Sequence, residues 1–114
     1  MATDRAASSR SNDPGLLILT SLAGGPKHGH ALQADIASFA GVRLGPGTLY
    51  GAIGRLEERG LIAPLAADGR ARPYRITDAG RASLVDALAE LERIVAAGRD
   101  RIATAGWRAA GAGA

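Results

Sequence analysis

Apolar residues crowd the segment Leu16, Leu17, Ile18, Leu19 and Leu22 so densely that a helix placed there is apolar on more than one face. Asp13 reads as its N-cap and Pro14 as its first helical residue, which predicts a helix through about Ala23. Such a helix needs cover from the domain core and from a second subunit. Gly24 to Gly29 is a turn by composition. Leu32, Ile36 and Phe39 then recur at helical spacing, which predicts a second helix from about His30 to Ala40, stopped by Gly41. Val42 to Leu44 links it to a third helix within Gly45 to Gly60, whose inner stripe is Leu49, Ile53 and Leu56. Beyond Gly60 the pattern shortens. Leu61 to Leu65 and Arg72 to Thr77 read as two short strands around Asp68-Gly69, and a proline in each is tolerable because a lone hairpin has only edge strands. Thr77 caps a last helix in which Leu84, Leu88, Leu91, Val95 and Ile102 form a heptad seam interrupted only by Gly98. Continued to about Ala105, that helix has ~28 residues and a length of ~42 Å, so it should project and pair rather than fold back on its own domain.

The third helix carries an unusual outer face. Opposite the core stripe fall Gly47, Gly51, Gly54 and Glu58. A glycine inside a helix costs about 1 kcal/mol relative to alanine, so helix stability does not explain the stripe. It leaves room for something to approach the backbone closely. Thr48, Arg55 and Arg59 border it on one flank and Tyr50 on the other, groups that donate to phosphates or base edges. The segment reads as a DNA recognition helix.

Composition narrows the class. The chain's 114 residues fit one small domain, with 46% apolar residues and only 4% aromatic ones, which favours packed helices built from Leu, Ile, Val and Ala. With no cysteine there is no disulfide or thiolate metal site. No apolar run reaches the ~18 residues of a membrane span, and residues 1–12 lack a signal-peptide core, so the expected location is cytoplasmic, away from membranes. The net charge of +3 is concentrated in residues 24–77, where Lys27, Arg43, Arg55, Arg59, Arg70, Arg72 and Arg75 outnumber Asp35, Glu57, Glu58 and Asp68. That distribution suits a polyanion, with a solvated basic face as the alternative. The Gly24–Gly29 turn lacks the spacing of a phosphate-binding P-loop. His28 and His30 diverge on a helix and have no third ligand, so they suggest turn packing and a DNA-proximal hydrogen bond rather than a metal site.

The order helix, helix, recognition helix, hairpin is that of a winged helix-turn-helix. Four stretches resemble the PadR-like transcriptional regulators: Gly25-Pro26-Lys27-His28-Gly29, Gly47-Thr48-Leu49-Tyr50, Arg55-Leu56-Glu57-Glu58-Arg59-Gly60-Leu61-Ile62 and Tyr74-Arg75-Ile76-Thr77-Asp78-Ala79-Gly80. Together they span about residues 16–84. The resemblance implies a homodimer that represses promoters, with the first and last helices forming the dimer, the recognition helix in the major groove and the wing along the backbone or minor groove. It places Thr48 and Tyr50 near the DNA backbone and Arg70 and Arg72 on the basic wing. His30 stands where the family usually has tyrosine, and Gly51 where it usually has proline. The single C-terminal helix resembles a shorter subgroup whose members sense phenolic or drug-like molecules, which implies a small aromatic effector at the dimer interface.

The expected fold is thus mainly α with a small β-hairpin: a tail at 1–12, a winged helix-turn-helix at 13–77, a dimerisation helix at 78–105 and a flexible tail at 106–114 that includes Trp107. The expected DNA ligands are Lys27, His28, Arg43, Thr48, Tyr50, Gly51, Gly54, Arg55, Arg70 and Arg72. The expected dimer contacts are Leu16, Leu17, Leu19, Leu84, Leu88, Leu91, Val95 and Ile102. The function that follows is a dimeric repressor on an inverted repeat in double-stranded DNA, with neither cofactor nor metal and no catalytic activity, since no carboxylate, serine or histidine has a partner at readable spacing. A winged-helix module that binds another protein is the alternative.

Overall fold

The computed structural model describes residues 12–67 and 69–113, without the side chains of residues 107–113. The expectations for the tail before Asn12, for Asp68 and for the Trp107 side chain lie outside the described residues. Among the described residues four helices and one hairpin follow in the order α1 (Pro14–Ala23), α2 (Gly29–Ala40), α3 (Pro46–Glu58), β1 (Ile62–Pro64), β2 (Tyr74–Ile76) and α4 (Asp78–Gly113).

Local chemistry sets most of these boundaries. Asp13 caps α1 by accepting a hydrogen bond from the Leu16 amide at 3.0 Å, with Pro14 at the start of the helix. Gly41 ends α2 in the left-handed region at φ 67°, and Gly60 follows α3 at φ 74°, both conformations that side chains disfavour. Thr77 joins the hairpin to α4. Its Oγ1 accepts from the Gly80 amide at 3.0 Å and donates to the Gly60 carbonyl at 2.7 Å. Gly80 is demanded by packing, because a Cβ there would overlap the Leu61 carbonyl oxygen.

Helix α1 is the hub, packing on α2, α3, α4 and β2. Its Ile18 and Leu22 meet Leu32, Ile36, Leu49, Ile53 and Ile62 in one buried cluster. The hairpin pairs Ile62 with Ile76, Ala63 with Arg75 and Pro64 with Tyr74 in antiparallel register. Its strands are shorter than the sequence pattern suggests. Nor is β2 an edge on both sides, since Tyr74 also forms an antiparallel bridge with Lys27.

Four apolar side chains differ from expectation. Phe39 is 47% exposed, and the buried residue at that end of α2 is Leu44, from the link. The cause is a side-chain clamp. Gln33 Nε2 donates to the Leu44 carbonyl and Gln33 Oε1 accepts from the Leu44 amide at 3.3 Å, which fixes the link with Leu44 turned inward. Leu17, Leu19 and Leu84, expected at a dimer contact, are buried within the single chain because the first turns of α4 lie against α1.

Further along, α4 leaves the domain. It continues to Gly113, past the expected stop near Ala105, and its 36 residues account for a molecule 67 Å long and under 30 Å in its other dimensions. Leu88, Ile94, Val95 and Ile102 stand exposed along it. Among the described residues no helix is long and apolar enough to cross a membrane.

Candidate nucleic-acid interface

Helix α3 buries Leu49, Ala52, Ile53 and Leu56 and turns Gly47, Thr48, Gly54, Arg55, Glu58 and Arg59 outward. The glycine stripe is unpacked. A Cβ built at Gly47 or Gly54 meets nothing within 4 Å, and one at Gly51 meets only Arg55 Nη1 at 3.4 Å. A groove or backbone that comes to this face therefore meets main chain first. Gly45 caps α3 without a side chain and Pro46 has no N–H, so no capping side chain covers the amides of Gly47 and Thr48. These amides carry the positive end of the helix dipole.

Tyr50 is 56% exposed and leans over α2, with its hydroxyl in the space that a Cβ of Gly29 would fill. Only glycine at position 29 permits this approach. Around it lies a notch of about 250 Å³ lined by Gly29, His30, Gln33, Arg43, Pro46, Leu49 and Tyr50. The α2–α3 elbow thus gathers Arg43, Tyr50 and the open start of α3. His30, which the sequence already suggests for turn packing or a DNA-proximal hydrogen bond, joins them, as does Gln33, which neither charge nor motif marks. The signal for Gln33 was a polar residue beside the core position Leu32, but its partner lies 11 residues away.

The remaining candidates divide. Arg55 is exposed on α3, and Arg70 and Arg72 are exposed on the wing between the two strands. His28 caps α2, its Nδ1 accepting from the Ala31 amide at 3.4 Å, so that nitrogen serves the fold. Lys27 points inward. Its Nζ donates to the Ser21 carbonyl at 2.6 Å and lies 3.8 Å from Asp35 Oδ2, so its charge does not stand on the open face with the arginines. Among the described residues there is no group of three or more side chains able to hold a metal.

Comparisons with known proteins bear on the fold and the family. Residues 18–86 match the profile of the Transcriptional regulator PadR-like family. The chain is 43% identical over 94 residues to the transcriptional regulator Rv3488 of Mycobacterium tuberculosis, a match covering 77% of this chain and 87% of that one. It is 53% identical over 72 residues to an uncharacterised 37.1 kDa protein in transposon Tn4556 of Streptomyces fradiae, covering 63% of this chain but only 21% of that longer protein. The crystal structure of a PadR family transcriptional regulator from Eggerthella lenta superposes with a TM-score of 0.68 at 30% identity, over 90% of this chain and 96% of that one. With a profile match over most of the winged region and a relative matched along most of both sequences, this chain belongs to the PadR-like family of transcriptional regulators.

Proposed function

We propose that the chain acts in the cytoplasm as a homodimeric repressor, placing α3 in the major groove at each half of an inverted repeat and laying the wing on the flanking backbone. The observation that carries this reading is the open glycine face of α3, where Gly47 and Gly54 have nothing above them. Thr48, Tyr50, Arg43 and the first amides of α3 suit phosphates, whereas Arg55 lies further along the helix, where base edges come within reach. Pairing through Leu88, Leu91 and Val95 of α4 would set two recognition helices about one DNA turn, ~34 Å, apart. The groove formed by these residues with Glu92, Ala96 and Arg99 would then become a walled site for a small aromatic effector that releases DNA.

Gly54→Leu tests the assignment. The variant is expected to melt at or slightly above the wild-type temperature, because a poor helix former is removed from an open position. It should also lose its mobility shift on a duplex selected by the wild-type protein from random-sequence DNA. A folded variant that still binds that duplex would remove α3 from the groove.

A further inference from the structure

Lys27 belongs by charge to the basic surplus of residues 24–77, yet both its side chain and its main chain are committed within the protein. Nζ donates to the Ser21 carbonyl at 2.6 Å and, with a longer bond, to the Gly25 carbonyl at 3.4 Å. Asp35 Oδ2, 3.8 Å from Nζ, also accepts from Ser21 Oγ at 2.5 Å, and Ser21 is 2% exposed. Ser21 lies in the last turn of α1 and Asp35 in α2, so the ammonium ties the turn to both helices. The main chain of the same residue holds the wing. Its amide donates to the Tyr74 carbonyl at 3.1 Å, and the Tyr74 amide donates to the Lys27 carbonyl at 2.9 Å. Tyr74 pairs with Pro64 on its other side, so the start of β2 is gripped between β1 and Lys27.

A phosphate ligand needs its ammonium extended into solvent. For Lys27 that extension would break a charge-assisted hydrogen bond to a helix-end carbonyl and separate it from Asp35. We infer that Lys27 is a positioning residue: it fixes the root of the wing against α1 and α2, and so sets where Arg70 and Arg72 meet DNA, without touching DNA itself. The inference rests on the reading above that the wing arginines are DNA ligands.

A double-mutant cycle separates positioning from contact. Lys27→Met keeps the aliphatic stem and the backbone bridge but removes the ammonium, and Arg70→Ala with Arg72→Ala removes the wing charges. Binding to the selected duplex is measured by fluorescence anisotropy over a salt series, at a temperature where circular dichroism shows every variant folded. In the wild-type background Lys27→Met is expected to weaken binding about threefold or more, and in the Arg70→Ala/Arg72→Ala background to change neither affinity nor salt slope. Asp35→Asn provides a test of sign. Loss of a carboxylate favours DNA if charge alone acts, whereas weaker binding is expected if Asp35 helps to hold Lys27. An equal loss from Lys27→Met in both backgrounds, a slope lowered by about one without the wing arginines, no loss in the wild-type background, or tighter binding by Asp35→Asn would overturn the inference. If Arg70→Ala/Arg72→Ala itself left affinity and slope unchanged, the wing would not be a DNA ligand, and the inference would fall with that reading.

Discussion

Leu32 in α2 and Leu88 in α4 sit in equally regular apolar stripes, yet the first is fully enclosed and the second is 40% exposed. The difference separates two regions of the molecule. In the winged helix-turn-helix, α1 is wrapped by α2, α3, β2 and the first turns of α4, so the core closes within one chain. Past Ala87 the helix keeps its apolar positions, but among the described residues Leu88, Ile94, Val95 and Ile102 stand exposed. Periodicity reports that a face is to be buried. It does not report what buries it, and only packing tells Leu84, covered by its own chain, from Leu88, one turn later.

Breaking the outer region should have the largest effect. Leu88→Asp with Leu91→Asp places charges on the exposed stripe, and the expected outcome is a monomer of 11.6 kDa by sedimentation, against a dimer expected for the wild type. Its winged part should keep its helical circular dichroism, because that core is closed without the stripe. A wild type that sediments as a monomer at micromolar concentration would refute the pairing. In the inner region Leu32→Ala removes a fully enclosed side chain, and a loss of ~2–5 kcal/mol by denaturant titration is expected. Gly80→Ala should cost about 1–3 kcal/mol, since its Cβ meets the main chain of Leu61, just before β1, rather than only a side chain that can swing away. The smallest effect sharpens the comparison within one short stretch. Phe39→Ser should stay within about 0.5 kcal/mol of wild type, whereas Leu44→Ala, five residues later, should cost ~2 kcal/mol or more. Equal costs would mean that the Gln33 clamp does not decide which of the two is core.

The features legible in the sequence were the ones decided locally. Asp13, Gly41, Gly60 and Thr77 announce helix ends because a cap depends on residues within a turn of it. The outer face of α3 was readable for the same reason, since helical spacing alone separates Gly47 and Gly54 from Leu49 and Ile53. Long-range pairings were not legible. The burial of Leu44 depends on an amide 11 positions back, and the inward aim of Lys27 depends on Ser21, Asp35 and Tyr74, from three different elements. A lysine in a basic stretch has the same sign of charge whether it faces DNA or a helix end. Helix α4 runs past the expected end near Ala105 because the Ala/Gly-rich segment that follows holds no residue that must end a helix. Each glycine there costs about 1 kcal/mol in a helix, and the alanines around it favour continuation.

The contact of Gly80 with the Leu61 carbonyl sits at the base of a rod of 36 residues, ~54 Å long at 1.5 Å per residue. Angles set at the base are magnified along it: a tilt of 5° at the first turn moves the far end by roughly 5 Å, more than the rise of one base pair. Where two such rods lie side by side, a change of one methyl group at their origin would alter the separation of the reading heads without altering either head. The operator spacing accepted by the protein would then be a property of a hinge that makes no contact with DNA.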